Sequence, residues 1–412
     1  MSLAKYKLGE LIEVTRGASL SGFFYATEGK YIRLTCGNFD YQNNCFKRNT
    51  SKDNIFYVGE FNHKFLLEEG DIITPLTEQA IGLLGSTALI PESGTYIQSQ
   101  DVARIICNEE LLDRRFAFYL ISSSLVKQQL SAGAQQTKIR HTSLDKIKDC
   151  TVWIPNLATQ KRISKLLSNI DHKIALNREI NRNLEAMARQ LYDYWFVQFD
   201  FPDSDGKPYK SSGGKMVYNP ILKRVIPDGW TYTKIKNILD KYPSTKRFET
   251  SEYQTNGKYP IIDQGENYIV GFTNEADSIL NKYPAILFGD HSTRVKLLCF
   301  PFGRGADGTQ ILYSNHPNIS IWYLYLAILT LEIPNPGYSR HFKYLKELPI
   351  VIPPLSLAKE FAQKIESIYN DWTNRIFENI VLSRQRDELL PLLMNGQVSV
   401  MRRAVNCDLS HD

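Results

Sequence analysis

Two loops of the sequence combine the basic, amide and aromatic side chains that bind nucleic acids. Residues 135–142 read Gln-Gln-Thr-Lys-Ile-Arg-His-Thr, and residues 337–343 read Gly-Tyr-Ser-Arg-His-Phe-Lys. In the major groove arginine pairs with guanine and asparagine or glutamine with adenine, while lysine, serine and threonine bind phosphates. These residues and similar ones elsewhere predict two DNA-contacting clusters. The candidates are Arg16, Asn38, Asn43, Asn44, Lys47, Arg48, Gln135, Gln136, Lys138, Arg140 and His141 in the first, and His291, Arg294, Arg304, Arg340, His341 and Lys343 in the second.

Each of these candidates has a simpler interpretation as a solvated side chain without a ligand, because most surface loops contain such residues. Four of them favour a common role more strongly than the others do. Lys138 and Arg140 in the first half recur as Arg340 and Lys343 in the second, at equivalent places in an internal repeat.

Motifs for catalysis or for metal binding are missing from the sequence. Gly303–Gly308 matches GxGxxG, but the strand-like Thr309–Tyr313 follows where a dinucleotide fold needs a helix, so we predict a glycine-rich loop between strands. The sequence contains no P-loop, no [DNS]PP[YFW] tetrapeptide of an amino-methyltransferase and no GxSxG elbow. The histidines do not cluster at metal spacing. We therefore expect a chain that is not an enzyme and has no metal site.

The composition predicts a soluble globular protein of two or three domains. The chain has 412 residues, 43% of them hydrophobic and 23% charged, with a net charge of +5 that permits a nucleic-acid partner without requiring one. Its six cysteines form no CxxC pair, and no signal peptide is recognisable, which indicates a reducing, cytoplasmic compartment. The longest apolar run, Ile319–Leu331, is too short to span a bilayer and predicts a buried helix.

An internal repeat positions the two clusters. Trp153-Ile-Pro-Asn-Leu157 corresponds to Val351-Ile-Pro-Pro-Leu355 at an offset of 198 residues, from 154 to 352. Apolar residues then recur in steps of four and three in both copies, which predicts two long helices that pair with each other. The alternative is two ordinary amphipathic helices in separate domains. The pairing residues are Ile163, Leu167, Ile170, Ile174, Leu184 and Leu191 in the first helix, and Phe361, Ile365, Ile368, Trp372, Leu382 and Leu389 in the second.

Polar residues interrupt this apolar seam at Asn177, Asn181, Arg375 and Asn379, where they would weaken the pairing but fix its register. Upstream of each helix the two copies differ in length and in nearly all their sequence. Short strands are predicted there, and a polar, Gly/Pro-rich linker is predicted between the copies. The predicted strands are 71–74, 86–90 and 102–106 in the first copy and 259–262, 285–288 and 295–298 in the second.

At three stretches the chain resembles the specificity subunit of Type I restriction–modification systems. Ile154-Pro-Asn-Leu157 with Gln160-Lys-Arg-Ile163 is similar to that family's central region. The stretch from Leu191 to Pro202, followed by Ile226-Pro-Asp-Gly-Trp230, resembles its bridge into the second reader. The segment from Leu389 to Gln397 resembles its closing helix end. In one departure, the second copy has Ala358 and Glu360 where the first has Gln160 and Arg162.

The resemblance implies an α+β fold, with two α/β target recognition domains related by a pseudo-twofold repeat and joined by two long helices that form an antiparallel coiled coil. It implies a DNA-recognition subunit that reads a bipartite, asymmetric target with one domain per half-site. The half-sites would lie about one helical turn, roughly 34 Å, apart. The implied domains are 1–152 and 230–350 for the readers, 153–200 and 351–396 for the helices, 201–229 for the linker and 397–412 for a tail.

The implied partners are double-stranded DNA, two methyltransferase subunits and two restriction subunits, with no membrane. S-adenosylmethionine, ATP and Mg would be bound by those partners, and this chain would bind no cofactor. Two other functions remain open. The chain could be a coiled-coil adaptor that binds proteins without specific DNA recognition, or a stand-alone DNA enzyme. A steep loss of DNA affinity with salt distinguishes a reader from an adaptor.

Overall fold

The computed structural model describes most of the chain, and it separates two compact units. The first unit comprises Met1–Ala175 with Asn379–Asp412, and the second comprises Leu176–Glu378, so each unit contains part of both long helices. The described residues are 2–41, 43–49, 53–78, 82–132, 140–240, 242, 245–305, 308–334 and 340–400, without the side chains of Glu78 and Arg140.

The first unit is built on mixed sheets covered by short helices. Its strands are β1 Ala4–Lys7, β2 Ile12–Arg16, β3 Tyr25–Ala26, β4 Tyr31–Arg33, β5 Phe39–Asp40, β6 Cys45–Phe46, β7 Phe56–Tyr57, β8 Ile72–Pro75, β9 Thr77–Glu78, β10 Ala88–Leu89, β11 Tyr96–Ile97, β12 Val102–Cys107, β13 Arg140–His141 and β14 Thr151–Ile154. Its helices are α1 Leu8–Leu11, α2 Arg114–Ile121, α3 Ser124–Ala132, α4 Leu144–Lys148 and the start of α5 Leu157–Tyr192. The main sheet has the order β10-β8-β12-β2, and a second has the order β11-β4-β7-β3.

The second unit repeats this plan with different loops. Its strands are β15 Met216–Asn219, β16 Arg224–Pro227, β17 Thr231–Lys234, β18 Arg247–Phe248, β19 Tyr259–Ile262, β20 Gly271–Thr273, β21 Ile279–Leu280, β22 Ala285–Gly289, β23 Val295–Leu298, β24 Phe302–Gly305, β25 Thr309–Leu312 and β26 Pro349–Ile352. Its helices are α6 Ile321–Thr330, α7 Phe342–Glu347 and the start of α8 Leu355–Met394. The sheet β23-β22-β25 corresponds to β10-β8-β12, and the pair β17–β26 corresponds to β1–β14.

The predicted strands and the predicted helix are all found, two of the strands with the predicted ends and the other elements with shifted ends. Each of the six predicted strands overlaps one of β8, β10, β12, β19, β22 and β23. The apolar run Ile319–Leu331 forms α6, which is buried from Trp322 to Ile328 because both of its faces are apolar. Among the described residues no helix is long and apolar enough to cross a membrane.

The long helices pair along the predicted seam, and every seam position in both is buried or half-buried. In the second unit Asn181 Nδ2 donates to Trp372 O at 3.1 Å, and Asn177 Nδ2 donates to Glu378 Oε2 at 2.7 Å. Residue numbers rise on α5 as they fall on α8, so the helices are antiparallel. Ala188 and Tyr192 pack in the same core as Phe361, Ile365 and Trp372.

In the first unit the other ends of the two helices share a core and a buried ion pair. Ile163 and Leu167 pack with Leu393 and Met394. Arg386 Nη1 lies 2.8 Å from Asp171 Oδ1, and Tyr119 Oη donates to Asp171 Oδ2 at 2.6 Å. The Arg386 side chain is only 8% exposed, so this pair replaces apolar contact at a seam position with a fixed polar one.

The bonds of Gln160 show what differs between the starts of α5 and α8, where the second copy has Ala358 in place of this glutamine. Its Nε2 donates to Leu111 O at 3.0 Å and Pro155 O at 2.8 Å, and its Oε1 accepts from Asp113 N at 2.8 Å. In the second unit Ala358 cannot make these bonds. There Asn318 Nδ2 donates to Pro353 O at 2.8 Å, so a residue upstream of α6 satisfies the equivalent carbonyl.

The segment predicted as a linker is folded. Residues 216–219 and 224–227 form the antiparallel hairpin β15–β16. Upstream of it, Phe201 stacks between Tyr209 and Trp230, with ring centroids at 4.7 and 5.1 Å. The composition is polar and rich in Gly and Pro, but three aromatic residues provide enough burial to order it. The segment is therefore ordered by local packing, while its bounds as a linker between the two repeats stay a prediction.

Candidate nucleic-acid interface

Four segments of the second unit meet in one place through their backbones. Asp290 N donates to Gly308 O at 2.7 Å, and Asp290 O accepts from His341 N at 2.8 Å. The Asp290 carboxylate accepts from Phe342 N at 2.8 Å, at the start of α7. The fourth segment contributes Gln264, whose Oε1 accepts from His291 N at 3.1 Å. We call these segments, Asp263–Asn267, Gly289–Arg294, Gly308 and Arg340–Lys343, the second-unit tip.

The tip holds a tight turn that needs close backbone approach. Thr293 has φ +55°, and Ser292 Oγ donates to Gln264 O at 2.8 Å. A Cβ added to Gly308, which has φ +81°, would collide with the side chains of Gln264 and His291. The turn is therefore held from two sides, while His291, Arg294, Arg340 and Lys343 are exposed on it or next to it.

Two predicted DNA contacts of the second cluster lie inside the protein. Arg304 is 3% exposed; its Nε donates to Thr309 Oγ1 at 2.9 Å, its Nη2 bonds Thr309 O, and its guanidinium lies over the Tyr242 ring. His341 is also 3% exposed, with Nδ1 3.0 Å from Asp290 O. Both side chains bond to backbone groups at or next to the tip, at Thr309 and at Asp290. These internal bonds favour structural roles over base contacts.

The first unit pairs the corresponding segments in the same way. β13 pairs with β9, placing Arg140 opposite Glu78 and His141 opposite Thr77. Thr142 N donates to Leu76 O at 2.9 Å, as His341 N does to Asp290 O. The exposed side chain of His141 lies at this edge. The predicted contacts Gln135, Gln136 and Lys138, and the side chain of Arg140, lie outside the described residues.

The side chains of the three asparagines of the first cluster bond to other protein groups, two of them within the same loop and one to α3. Asn38 is 2% exposed and its Nδ2 donates to Lys47 O at 3.2 Å. Asn43 Nδ2 donates to Asp40 Oδ2 at 2.7 Å, and Asn44 Oδ1 accepts from Lys127 Nζ at 3.2 Å. These amides order the loop that carries the basic groups and favour structural roles. The exposed candidates in this part of the unit are Arg16, Lys47 and Arg48.

Sequence reasoning missed the two residues that organise the second-unit tip, Gln264 and Lys296. Lys296 lies on β23 with its side chain 7% exposed, and its Nζ donates to Asp263 O and Asn267 O at 2.8 and 2.5 Å. Burial lowers the pKa of Lys296 to about 8. A lysine inside the otherwise apolar Val295–Leu298 was the available signal. For Gln264 the sequence offers no signal.

The glycine-rich match is only partly the predicted loop, because it begins within a strand. Gly303 and Gly305 lie within β24, and Gly308 turns into β25, so no helix N-terminus is available for a pyrophosphate. Among the described residues no group of three or more His, Cys, Asp or Glu side chains could hold a metal ion.

A duplicated α+β unit with exposed basic loops, in which each copy contains antiparallel segments of both long helices, has the organisation of a two-part nucleic-acid reader. The family model for the Type I restriction modification DNA specificity domain matches residues 3–186 and 227–381. The chain belongs to this family. The two matched regions include nearly all of both units, in agreement with the internal repeat.

Relatives and solved structures agree with this membership. The chain is 24% identical over 312 residues to the Type I restriction enzyme MjaIX specificity subunit of Methanocaldococcus jannaschii, covering 69% of each protein. It is 28% identical over 205 residues to the MjaVIII specificity subunit of that organism, covering 46% of this chain and 47% of that protein. The fold is similar to the S subunit of a Type I restriction–modification system from M. genitalium, with a TM-score of 0.58, 17% identity and 96% of each chain covered.

Proposed function

We propose that this chain is the specificity subunit of a Type I restriction–modification complex and reads a bipartite, asymmetric DNA target with one unit per half-site. The observation that carries this proposal is the contrast between the shared frame and the different tips. Both units pair the segment before their last short helix to the end of a central strand, at Thr142 and at His341. The residues around that pairing differ between the units. Two units with the same backbone arrangement therefore present different side chains to DNA.

The exposed basic groups fit this function. Arg16, His141 and Arg294 are exposed and suit contacts to bases or phosphates. Arg340 precedes the last short helix of the second unit, α7, and Lys343 lies in its first turn. Lys138 and Arg140 remain predicted contacts in the first unit. The buried Asn38, Arg304 and His341 are excluded from the proposed contacts, because their side chains already have partners inside the protein.

The proposal includes the partners that such a subunit serves. Two methyltransferase subunits would bind S-adenosylmethionine and methylate adenine, and two restriction subunits would use ATP and Mg to cleave unmodified DNA. The chain itself would supply neither reaction, and the complex would work in the cytoplasm. The two long helices, which pair along an apolar seam, would provide the frame on which the methyltransferases assemble.

The test is to co-express the chain with its neighbouring methyltransferase and to map methylated adenines genome-wide. We expect a split motif that disappears when the chain is deleted. Replacing residues 230–350 by those of a relative should change one half of the motif and leave the other half unchanged. A stable complex without any motif would contradict the reading function and favour a protein-binding adaptor.

A further inference from the structure

The second unit contains a buried ammonium group that the proposed contacts do not use. Lys296 lies on β23, and its side chain passes beneath the second-unit tip, where Nζ bonds the carbonyls of Asp263 and Asn267. The Asp263 carboxylate is 4.0 Å from Nζ and accepts from Gly265 N at 2.7 Å. The lysine therefore bonds to the first and the last residue of the segment 263–267 and holds the two together.

This closed segment holds the exposed turn of the tip. Its second residue, Gln264, accepts from His291 N through Oε1 and from Ser292 Oγ through its backbone carbonyl. The turn also bonds back to its own strand, because Gly289 N donates to Arg294 O at 2.8 Å. Lys296 is thus connected through the segment 263–267 to His291, and through Ser292 Oγ, which accepts from Arg294 N at 3.3 Å, to Arg294.

We propose that Lys296 is a positioning residue for DNA reading by the second unit: its ammonium fixes residues 263–267, which orient the turn presenting His291 and Arg294. This inference rests on the proposed function. It concerns one unit only, because β10, the corresponding strand of the first unit, carries Ala88 and Leu89 and no lysine.

The charge of Lys296 changes within a pH range that the assay can cover. Burial lowers its pKa to about 8; the Asp263 carboxylate opposes this effect, and the Arg294 guanidinium adds to it. Glu266, Asp290 and His291 are the other titratable groups on the two segments that face it. Hydrogen bonds from an ammonium are roughly twice as strong as those from a neutral donor, so deprotonation loosens the segment.

The experiment compares Lys296→Met, Lys296→Arg and a matched control, Lys258→Met, which removes an exposed lysine from the same unit. Each chain is co-purified with its methyltransferase, and initial methylation rates are measured on the mapped target and on duplexes with one base changed in either half-site. The domain exchange identifies the half-site that the second unit reads. The ratio of the two rates gives the discrimination at each half-site and cancels the methyltransferase's own pH dependence.

We expect Lys296→Met to lower discrimination at the second unit's half-site about tenfold, which is roughly 1.4 kcal/mol, and to leave the first half-site unchanged. Wild-type discrimination at that half-site should fall between pH 7 and pH 9 with a midpoint near 8. Lys296→Arg should remove this pH dependence, since a guanidinium stays charged, whereas Lys258→Met should retain it.

Unchanged discrimination in Lys296→Met, or equal losses at both half-sites, would overturn the assignment. A pH-dependent fall that persists in Lys296→Arg would also overturn it. If Lys296→Met does not fold, the pH profiles of the wild type and of Lys296→Arg decide the question. Failure of the proposed function has a different signature, the absence of any split motif in the wild-type methylation map.

Discussion

Individual buried polar residues determine how each unit holds its functional surface. Gln160 is 1% exposed and forms three hydrogen bonds, two of which join the start of α5 to the start of α2. Lys296 serves the second-unit tip in a comparable way. Such groups are costly when unpartnered, so their loss should affect stability more than the loss of exposed groups does.

Gln160→Ala should lower the free energy of unfolding by about 3 kcal/mol, because it leaves Asp113 N and the carbonyls of Leu111 and Pro155 without their donor or acceptor. In a unit of this size that corresponds to a fall in melting temperature of about 6 to 12 °C, measured by circular dichroism. Gln190→Ala, an exposed glutamine on the same helix, is the control and should change the melting temperature little. Equal melting temperatures for both variants would show that the bridge contributes nothing.

The lowered pKa of Lys296 also predicts that the free energy of unfolding depends on pH. Its pKa is about 8 in the folded chain and 10.5 ordinarily, so between these values the unfolded chain binds a proton that the folded chain does not. Stability therefore rises with pH across this window. From pH 7.5 to 9.5 the wild type should gain about 1 to 2 kcal/mol relative to Lys296→Met, measured by urea unfolding. A constant difference between the two proteins would show that Lys296 does not titrate in this window.

At the scale of elements, the structure changes the interpretation of the segment between the two repeats. The chain leaves α5 through Trp195 and Phe196 and passes Phe199 and Phe201 before the hairpin β15–β16. These aromatic residues pack around Trp230 in the core of the second unit. The segment therefore belongs to the fold of that unit and contributes to its stability.

Trp230→Ala should destabilise the second unit by about 3 to 5 kcal/mol, the usual cost of removing a large buried aromatic side chain. Trp230 is 9% exposed and contacts the rings of Phe196, Phe199 and Phe201. Tyr232→Ala, two residues later on β17 and 39% exposed, should cost about 1 kcal/mol or less. Similar losses in thermal unfolding for both variants would contradict a structural role for this segment.

At the scale of the whole molecule, the charge is only +5, so DNA affinity must come from local groups more than from a strong overall field. The assembled complex should lose affinity linearly in log[salt], with a slope that counts the phosphates bound. Arg340→Ala should reduce that slope by about one if Arg340 binds a phosphate. Lys359→Ala removes the same charge from an exposed position on α8 and should leave the slope unchanged. Identical slopes for both variants, measured by fluorescence anisotropy, would remove Arg340 from the interface.

The sequence by itself determined the features that depend on periodic or repeated patterns. The four- and three-residue spacing from Ile163 and from Phe361 predicted both long helices and their buried faces, because burial of a helix face requires that spacing. The apolar run at Ile319–Leu331 predicted α6, and the six strands were found near their predicted places. The repeat predicted two related units, and the family resemblance was confirmed by the match to residues 3–186 and 227–381.

Only the tertiary structure decided which polar residues are exposed and which are bound inside. Arg304 and His341 have the same residue types as surface contacts, yet both are buried, while Arg294 and His291 are exposed nearby. Gln264 and Lys296 acquired their roles from residues tens of positions away, at Ser292 and Asp263. Long-range hydrogen bonds leave no periodic trace in a sequence, since they depend on which loops the sheet brings together.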